Sequence, residues 1–335
     1  MSDTTIPASS APRINLQVIG PLVALAVLVV AGALMNGNFL SAGNITNVLS
    51  RSAFIGIIAV GMTFVITSGG LDLSVGSMAA FIAGCMILVI NYFADSLGQS
   101  WSLFGIGALA ALVLGVVAGF VNGILITKVG IEAFIVTLGT MGIYRSLVTW
   151  IANGGTLSMD FELRTLFRPV YFEGIPLGFM TLTWPILLFA VIAIVGEIVM
   201  RHTAYGRHCA AIGSNEQVAR YSAVKVDRVR MMTYVILGLL VGLATILYVP
   251  RLGSASPSTG VLWELEAIAA VIIGGTMLKG GFGRVWGTVT GVVILSLIDN
   301  LLNLTEFVSP YLNGAIQGVI IILAVVLQRQ KKAER

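Results

Sequence analysis

Residues able to take part in binding or chemistry are scarce in this chain, and they gather in short stretches between long apolar segments. One stretch is Ser68-Gly69-Gly70-Leu71-Asp72-Leu73-Ser74, and another runs from Gly274-Gly275-Thr276 to Gly283. Both are rich in glycine, and both are short connections between apolar segments. Non-helical backbone in apolar surroundings must find its hydrogen bonds within protein or in a water-filled cavity. The paired interruptions therefore predict a translocation path.

Asp72 is a candidate site residue because a carboxylate near hydrocarbon is costly and usually faces an interior cavity. Its oxygens are able to accept hydrogen bonds from the hydroxyls of a solute, or to cap a helix that begins near Leu73. Of the two we favour the cap. Two interpretations are also open for the amides of Asn122, Asn300 and Asn303. They either line a polar path or form hydrogen bonds between neighbouring helices.

The longest internal polar segment, residues 201–230, reads RHTAYGRHCAAIGSNEQVARYSAVKVDRVR. Ser214 followed three residues later by Gln217 is a capping-box pattern, and Glu216 places negative charge in the first turn. The pattern predicts a short helix over about 215–223. Glu197 and Arg201, four residues apart at the end of the preceding apolar block, are predicted to form a local ion pair.

A short capped helix between two apolar segments is suited to docking into a groove on a soluble partner. The alternative is an ordinary basic loop that only fixes the orientation of the chain, and the pattern alone favours neither. The residues predicted for such a coupling role are Arg207, Gly213, Ser214, Asn215, Glu216, Gln217 and Arg220.

Motifs of several enzyme classes are missing from the sequence. The stretch around Lys279 is not a Walker A loop, because Lys precedes the glycine and no Ser or Thr follows in the required position. There is no nucleophile elbow or zinc-protease helix, and no run of carboxylates typical of a proton or sodium pump. His202, His208 and Cys209 lie close together but lack a further ligand at suitable spacing, so neither a metal nor another cofactor is predicted. Cys85 and Cys209 are predicted to be unpaired thiols, and the protein is not expected to be an enzyme.

The composition explains why polar residues are so few. Of the 335 residues 57% are apolar and 10% are charged, and the mean hydropathy is +0.98. The apolar residues form blocks of roughly 17 to 25, the length of a helix that crosses a bilayer. The net charge of +4 comes from basic residues between these blocks, so it indicates membrane orientation and argues against nucleic-acid binding.

The fold class predicted is an all-α polytopic membrane protein with about ten transmembrane helices and short or broken helices near the path. The predicted spans are 16–35, 52–68, 73–93, 103–126, 132–152, 182–200, 231–250, 265–278, 284–302 and 308–327. An even number places both termini on one side, and the excess of Lys and Arg on that side predicts that it is cytoplasmic. We expect a disordered tail at 1–14, one transmembrane domain at 15–328 that contains the 201–230 segment, and a basic tail at 329–335.

Three segments resemble bacterial sugar-importer permeases of the ribose type. They are GMTFVITSGGLDLSVGS at 61–77, WELEAIAAVIIGGTMLKGGFGRVWGTVTG at 263–291 and the cytoplasmic segment 205–230. The resemblance covers nearly the whole chain beyond the first fifteen residues, and the segments occur in the family's order. The residues around Lys279 depart from it, since many relatives are less basic there.

The resemblance implies a multi-pass permease of the bacterial inner membrane that imports a monosaccharide and works with several partners. These are a second permease copy or a sister permease, a cytoplasmic ATP-binding subunit with two fused cassettes, and a periplasmic sugar-binding protein. The helix near 215–223 would then contact the ATP-binding subunit, and both glycine-rich stretches would lie along the path. Charged residues of the outer loops are predicted to dock the binding protein: Glu162, Arg164, Arg168, Arg251 and Glu264.

Other solutes and other classes remain open on the sequence. Relatives that carry nucleosides or branched-chain amino acids share the architecture. An ion-coupled secondary carrier would transport without ATP, and a non-transporting scaffold would show no solute-dependent effect on a partner's ATPase.

Overall fold

The computed structural model describes residues 16–305 together with 312, 314–316, 318, 319 and 322. Within this part the chain is almost entirely helical. The helices are α1 Leu16–Met35, α2 Ala42–Thr67, α3 Val75–Leu97, α4 Trp101–Thr127, α5 Ala133–Ile151, α6 Phe161–Phe167, α7 Pro169–Phe172, α8 Trp184–His202, α9 Ala204–Ser214, α10 Glu216–Tyr221, α11 Val226–Leu252, α12 Trp263–Ile273 and α13 Val285–Thr305.

Four short strands lie in the connections between helices. Strand β1 (Leu157–Ser158) pairs antiparallel with β4 (Ser254–Ala255), and Leu157 lies opposite Ala255. Strands β2 (Gly174–Pro176) and β3 (Thr181–Thr183) form a hairpin that leads into α8. The first pair ties the loop after α5 to the loop after α11.

Seven of the predicted spans correspond to helices long and apolar enough to cross a membrane: α2, α3, α4, α5, α8, α11 and α13. In α1 the apolar part is the shorter stretch Gly20–Met35. The predicted tails at 1–14 and 329–335 and most of the span at 308–327 lie outside the described residues. The all-helical, polytopic fold class is confirmed, and the number ten is approximate.

Helix α2 begins ten residues earlier than the start predicted at 52, because its first turns are polar. Ser41 is the N-cap, and its side chain accepts a hydrogen bond from the Asn44 nitrogen at 3.3 Å. A hydropathy pattern alone does not detect a helix whose first turns are polar. A capped helix tolerates such turns, because the cap satisfies a backbone nitrogen at its start.

Helix α12 is much shorter than the predicted span 265–278. Its 11 residues rise only about 16 Å, roughly half of the hydrocarbon thickness. It ends at Ile273 because Gly274 packs against the backbone of Gly287 and Gly275 adopts a positive φ of 89°. The interruption predicted from the glycines is therefore real, and the full span predicted across it is wrong.

The core forms around α2 and α11. In α2, 83% of the apolar window is buried within the protein, compared with 28% in α5 and 33% in both α8 and α13. Helix α11 packs along α4 and α2. Gly115 of α4 and Gly238 of α11 contact each other so closely that a methyl group on either would overlap the other's backbone. Small residues at such crossings are typical of membrane helix pairs.

Candidate translocation path and coupling segment

The first glycine-rich stretch, which we call link 1 (residues 68–74), joins α2 to α3 in a non-helical conformation. Its start is held to α2 by a hydrogen bond from the Gly70 nitrogen to the Val65 carbonyl at 2.9 Å. The Tyr234 hydroxyl of α11 donates to the Leu71 carbonyl at 3.3 Å. Protein groups thus supply partners for backbone that a helix would otherwise satisfy.

Asp72 is buried in link 1, with 1% of its surface exposed. One carboxylate oxygen accepts hydrogen bonds from the Ser74 nitrogen at 2.8 Å and the Ser74 hydroxyl at 2.6 Å. The other accepts from the Asn122 side chain of α4 at 3.1 Å. The N-cap residue of α3 is Ser74, and the helix begins at Val75. Asp72 was predicted to be the cap, so that prediction is wrong by two residues.

Of the three asparagine amides, two form bonds between elements. Asn122 joins α4 to link 1, and its Oδ1 is buried without a hydrogen-bond partner among the described residues. Asn300 of α13 exchanges hydrogen bonds with Asn44 of α2 at 2.8 and 2.9 Å. Asn303 donates to the carbonyl of Asp299 in its own helix. Their places in a translocation path stay predictions.

The second stretch, link 2 (residues 274–284), joins α12 to α13. Thr276 is buried, and its hydroxyl accepts a hydrogen bond from the Arg284 nitrogen at 3.3 Å. Gly280 and Gly281 have φ angles of 83° and 86°, a conformation that other residues adopt only with strain. The helices on either side of the two links are also joined, since the hydroxyls of Thr63 in α2 and Thr288 in α13 lie 2.8 Å apart.

Glu197 connects the end of α8 to the start of α13. Its Oε1 lies 2.6 Å from Arg201, which confirms the ion pair predicted from their spacing. Its Oε2 accepts hydrogen bonds from the nitrogens of Val285 and Trp286, at 2.9 and 3.2 Å. No local pattern indicates this second contact, because the two helices are far apart along the chain.

The segment 201–230 contains two helices, α9 and α10, where one was predicted. Asn215 is the N-cap of α10, and its side chain accepts from the Val218 nitrogen at 3.0 Å. Ser214 ends α9, so the capping box predicted for Ser214 and Gln217 is wrong by one residue. Helix α9 was missed; Thr203, whose side chain accepts from the Gly206 nitrogen, was the available N-cap signal.

Ion pairs hold α10 to the start of α11. Arg220 lies 2.9 Å from Glu216 and 2.8 Å from Asp227, and Arg230 lies 2.7 Å from Glu216. Partial burial disfavours the charged form of Glu216, but the hydrogen bonds from Arg230 and Arg220 outweigh it and lower the pKa of this carboxyl. The four residues, which we call the α10 clasp, join a short helix to a long one.

One face of α10 is buried and the other is exposed. Ala219 packs with Ile212 of α9 and Val226 of α11 in a small cluster separate from the main core. On the exposed face, Val218 and Tyr221 leave 57% and 89% of their surfaces uncovered. Exposed apolar and aromatic side chains one helical turn apart are typical of a docking face. The other predicted coupling residues Arg207, Ser214, Asn215 and Gln217 are exposed as well.

The end of α9 touches both links. A methyl group on Gly213 would overlap the carbonyl of Thr67, the last residue of α2, and the nitrogen of Gly281 in link 2. Gly280 of link 2 also lies against Gly69 of link 1. The structure therefore brings three separately predicted stretches together at one backbone contact, which we call the glycine junction.

The residues predicted to dock a binding protein lie at the opposite end of α11 from α10, and they differ in exposure. Glu162, Arg164 and Arg168, on α6 and just after it, are exposed. Arg251 is half-buried, and its guanidinium lies over the rings of Phe54 and Tyr171. Glu264 is half-buried at the start of α12, and its Oε2 has no hydrogen-bond partner among the described residues. Docking stays a prediction for all five.

Neither cysteine is bonded to another: Cys85 is half-buried and Cys209 is buried. In the described part of the chain, no three His, Cys, Asp or Glu side chains are grouped to hold a metal ion.

These features are those of a multi-pass helical membrane protein in which two glycine-rich links contact an exposed helical segment. The chain belongs to the family described as branched-chain amino acid transport system / permease component, which matches residues 44–325. It is accordingly a transport component of the bacterial inner membrane and not an enzyme.

Relatives extend over nearly the whole chain. The ribose import permease protein RbsC of Bacillus subtilis (strain 168) is 38% identical, over 95% of this chain and 94% of that protein. The L-arabinose transport system permease protein AraH of Escherichia coli (strain K12) is 34% identical, over 100% and 99%. The xylose transport system permease protein XylH of Haemophilus influenzae is 30% identical, over 95% and 98%.

Proposed function

We propose that this chain is the membrane-spanning permease subunit of an ATP-binding-cassette importer for a monosaccharide, a ribose-like pentose or a hexose. Relatives named for ribose, arabinose and xylose, each aligned over more than nine tenths of this chain, support the choice of sugar. A cytoplasmic ATP-binding subunit with two cassettes, a periplasmic sugar-binding protein and a second permease copy or sister permease complete the importer. Both termini are cytoplasmic.

The observation that carries the coupling mechanism is the glycine junction. The exposed face of α10 contacts the ATP-binding subunit, and the α10 clasp fixes α10 to α11. Because Gly213 contacts the end of α2 and link 2 directly, displacement of α9 and α10 displaces both links. ATP binding at the partner thereby shifts the population between states open to either side of the membrane.

The test compares two exposed tyrosines at different places in the chain. Tyr221→Ala removes an aromatic side chain from the exposed face of α10, and Tyr92→Ala removes one of similar exposure from α3. In proteoliposomes with the ATP-binding subunit and the binding protein, Tyr221→Ala is expected to lower sugar-stimulated ATP turnover and uptake by at least about tenfold. Tyr92→Ala leaves both near wild type. Equal behaviour of the two variants contradicts the docking of α10.

A second candidate solute is a branched-chain amino acid, because the matching family carries that description. Nucleosides remain a further alternative of the same architecture, and an ion-coupled carrier is the alternative from another class. Uptake of ribose, xylose, arabinose, leucine and a nucleoside, each with and without ATP, separates them. ATP-independent uptake driven by an ion gradient contradicts the proposed function.

A further inference from the structure

A cavity of about 400 Å³ opens at the end of α11 that is remote from α10. It is bounded by the last turn of α11, the loop that follows β4 and the first residue of α12. Its volume lies in the range of small-ligand sites, roughly 300–1,000 Å³. None of the residues predicted for the path lines it.

The side chains that line the cavity have the chemistry of a site for a neutral hydroxylated ring. Trp263 and Tyr248 supply two aromatic rings, in edge-to-face contact with their centroids 5.1 Å apart. Ser256 and Ser258 lie beside them with hydroxyls 2.8 Å apart, and each hydroxyl retains capacity for a further hydrogen bond. Aromatic surface with a few convergent polar groups is typical of small-molecule sites.

Arg251 adds fixed hydrogen-bond donors. Its guanidinium is positioned over the rings of Phe54 and Tyr171, at 5.7 and 5.4 Å from their centroids. No ion pair engages it within the described part of the chain. A guanidinium oriented by stacking and free of a carboxylate is available to donate to the oxygens of a ligand.

The charge of the lining separates a sugar from an amino acid. A carboxylate would bind the ammonium group of an amino-acid zwitterion most strongly, and no Asp or Glu is found among the described residues that line the cavity. Five of the lining side chains carry a hydroxyl: Tyr248, Ser254, Ser256, Ser258 and Thr259. This set complements the hydroxyls of a monosaccharide.

The wall of the cavity packs against the first turn of α3, which follows link 1. Arg145 of α5 donates hydrogen bonds to the carbonyls of Pro257 and Thr259, which fixes the loop. Gly260, which lines the cavity with a φ of 68°, packs so closely on Gly76 in the first turn of α3 that a methyl group on either would overlap the other's backbone. Link 1 and the first turn of α3 therefore connect the glycine junction at Gly69 to the wall of the cavity at Gly76.

We infer that this cavity is the site where the permease receives a monosaccharide from the binding protein, with Arg251, Ser256 and Trp263 as the contacting residues. The inference rests on the proposed function and adds a solute site to it. Because link 1 and the first turn of α3 join the glycine junction to the cavity wall, movement at the junction alters the shape of the site. Arg251 then contacts the solute instead of docking the binding protein.

The test measures protection of a cysteine by solute in the complex of the permease with its ATP-binding subunit. Ser258→Cys, made with Cys85→Ala and Cys209→Ala, places a thiol at an exposed lining position. Millimolar ribose, xylose or arabinose is expected to slow its reaction with a membrane-impermeant maleimide at least about threefold, and leucine is not. Ser158→Cys, on β1 and outside the lining, is the matched control and shows no protection.

Two arginine variants show whether protection depends on the cavity. Arg251→Gln is expected to reduce the protection of Ser258→Cys to that of the control. Arg168→Gln, which changes another guanidinium stacked on a ring but outside the lining, is expected to preserve it. A second measurement, saturation transfer from protein aromatic protons to ribose, is expected to weaken in Trp263→Ala and needs no cysteine.

The results distinguish the cavity from the importer itself. Suppose that wild-type complexes import sugar with ATP, that no sugar protects Ser258→Cys, and that saturation transfer to ribose is unchanged in Trp263→Ala. The inference about the cavity is then wrong, and the proposed function stands. Equal protection by leucine also overturns it. If the wild type shows no ATP-dependent sugar uptake, the proposed function itself has failed.

Discussion

The backbone nitrogen of Gly281 donates a hydrogen bond to the carbonyl oxygen of Thr67 at 2.9 Å. Thr67 is the last residue of α2, where carbonyl groups lack partners within the helix. Link 2 therefore satisfies the end of the helix that precedes link 1. Since Gly213 of α9 packs on the same two residues, the end of α2, link 2 and the segment 201–230 share one point of contact.

A side chain at Gly213 should separate these elements. Gly213→Ala places a methyl group where the Thr67 carbonyl and the Gly281 nitrogen now lie, and backbone atoms cannot move aside without shifting α2 or link 2. We expect ATP-dependent uptake to fall at least about tenfold while the protein still inserts, because about 1.4 kcal/mol of strain in one transport state is a factor of ten. Uptake per ATP hydrolysed in proteoliposomes measures the effect.

The control for this variant is Gly105→Ala in α4, where nothing lies within 4 Å of the added carbon. Its uptake should match the wild type. Normal coupling in Gly213→Ala would show that the glycine junction does not transmit movement.

Replacing Asp72 by Asn should destabilise the protein. The carboxylate accepts hydrogen bonds from Ser74 and Asn122. Asparagine replaces one of the two oxygens by an NH₂ group, which then faces a donor of Ser74 or Asn122 instead of accepting from it. The expected loss is about 1–3 kcal/mol, the cost of an unsatisfied buried polar group. Thermal unfolding of the purified protein in detergent measures it, and the exposed Asp95→Asn serves as the control. Equal melting temperatures for both variants would contradict the bonded role of Asp72.

Glu197→Gln should loosen the start of α13. The substitution removes the charge that pairs with Arg201. It also weakens the hydrogen bonds that the nitrogens of Val285 and Trp286 donate to this side chain. We expect a loss of about 1–2 kcal/mol, because hydrogen bonds to a charged group are stronger than neutral ones. Amide exchange in the first turn of α13 should accelerate, and the exposed Glu132→Gln should leave it unchanged. Unaltered exchange in Glu197→Gln would argue that the carboxylate does not stabilise this turn.

The α10 clasp should weaken in acid. Because the folded pKa of Glu216 is below its usual value of 4.5, its contribution is fully present above about pH 4.5 and is lost as pH falls through the folded pKa. The carboxylate is partly exposed to solvent, which screens its ion pairs, so the contribution is small, below about 1 kcal/mol. Amide exchange of α10, corrected for the intrinsic rate, should keep its protection from pH 7 down to about pH 5 and lose it as the pH falls below about 4.5. Glu216→Gln should remove that dependence, and a pH response that persists in this variant would assign it to another group.

The predictions that held depend on local properties of the chain. Hydropathy identified seven long helices, and the glycines marked both links, because each signal is contained within one segment. The pair Glu197–Arg201 followed from helical spacing alone. Errors arose where two local signals competed, as when Asn215 rather than Ser214 became the cap of α10.

Length, hydropathy and glycine content are read residue by residue, so they were enough to identify a multi-pass helical membrane protein with two glycine-rich links and a polar helical segment between its spans. The burial of Asp72 against Asn122, the early end of α12 and the contact of Gly213 with both links became known only from the folded structure. Such close contacts depend on how the helices pack. Residues far apart along the chain carry no local sign that they will meet.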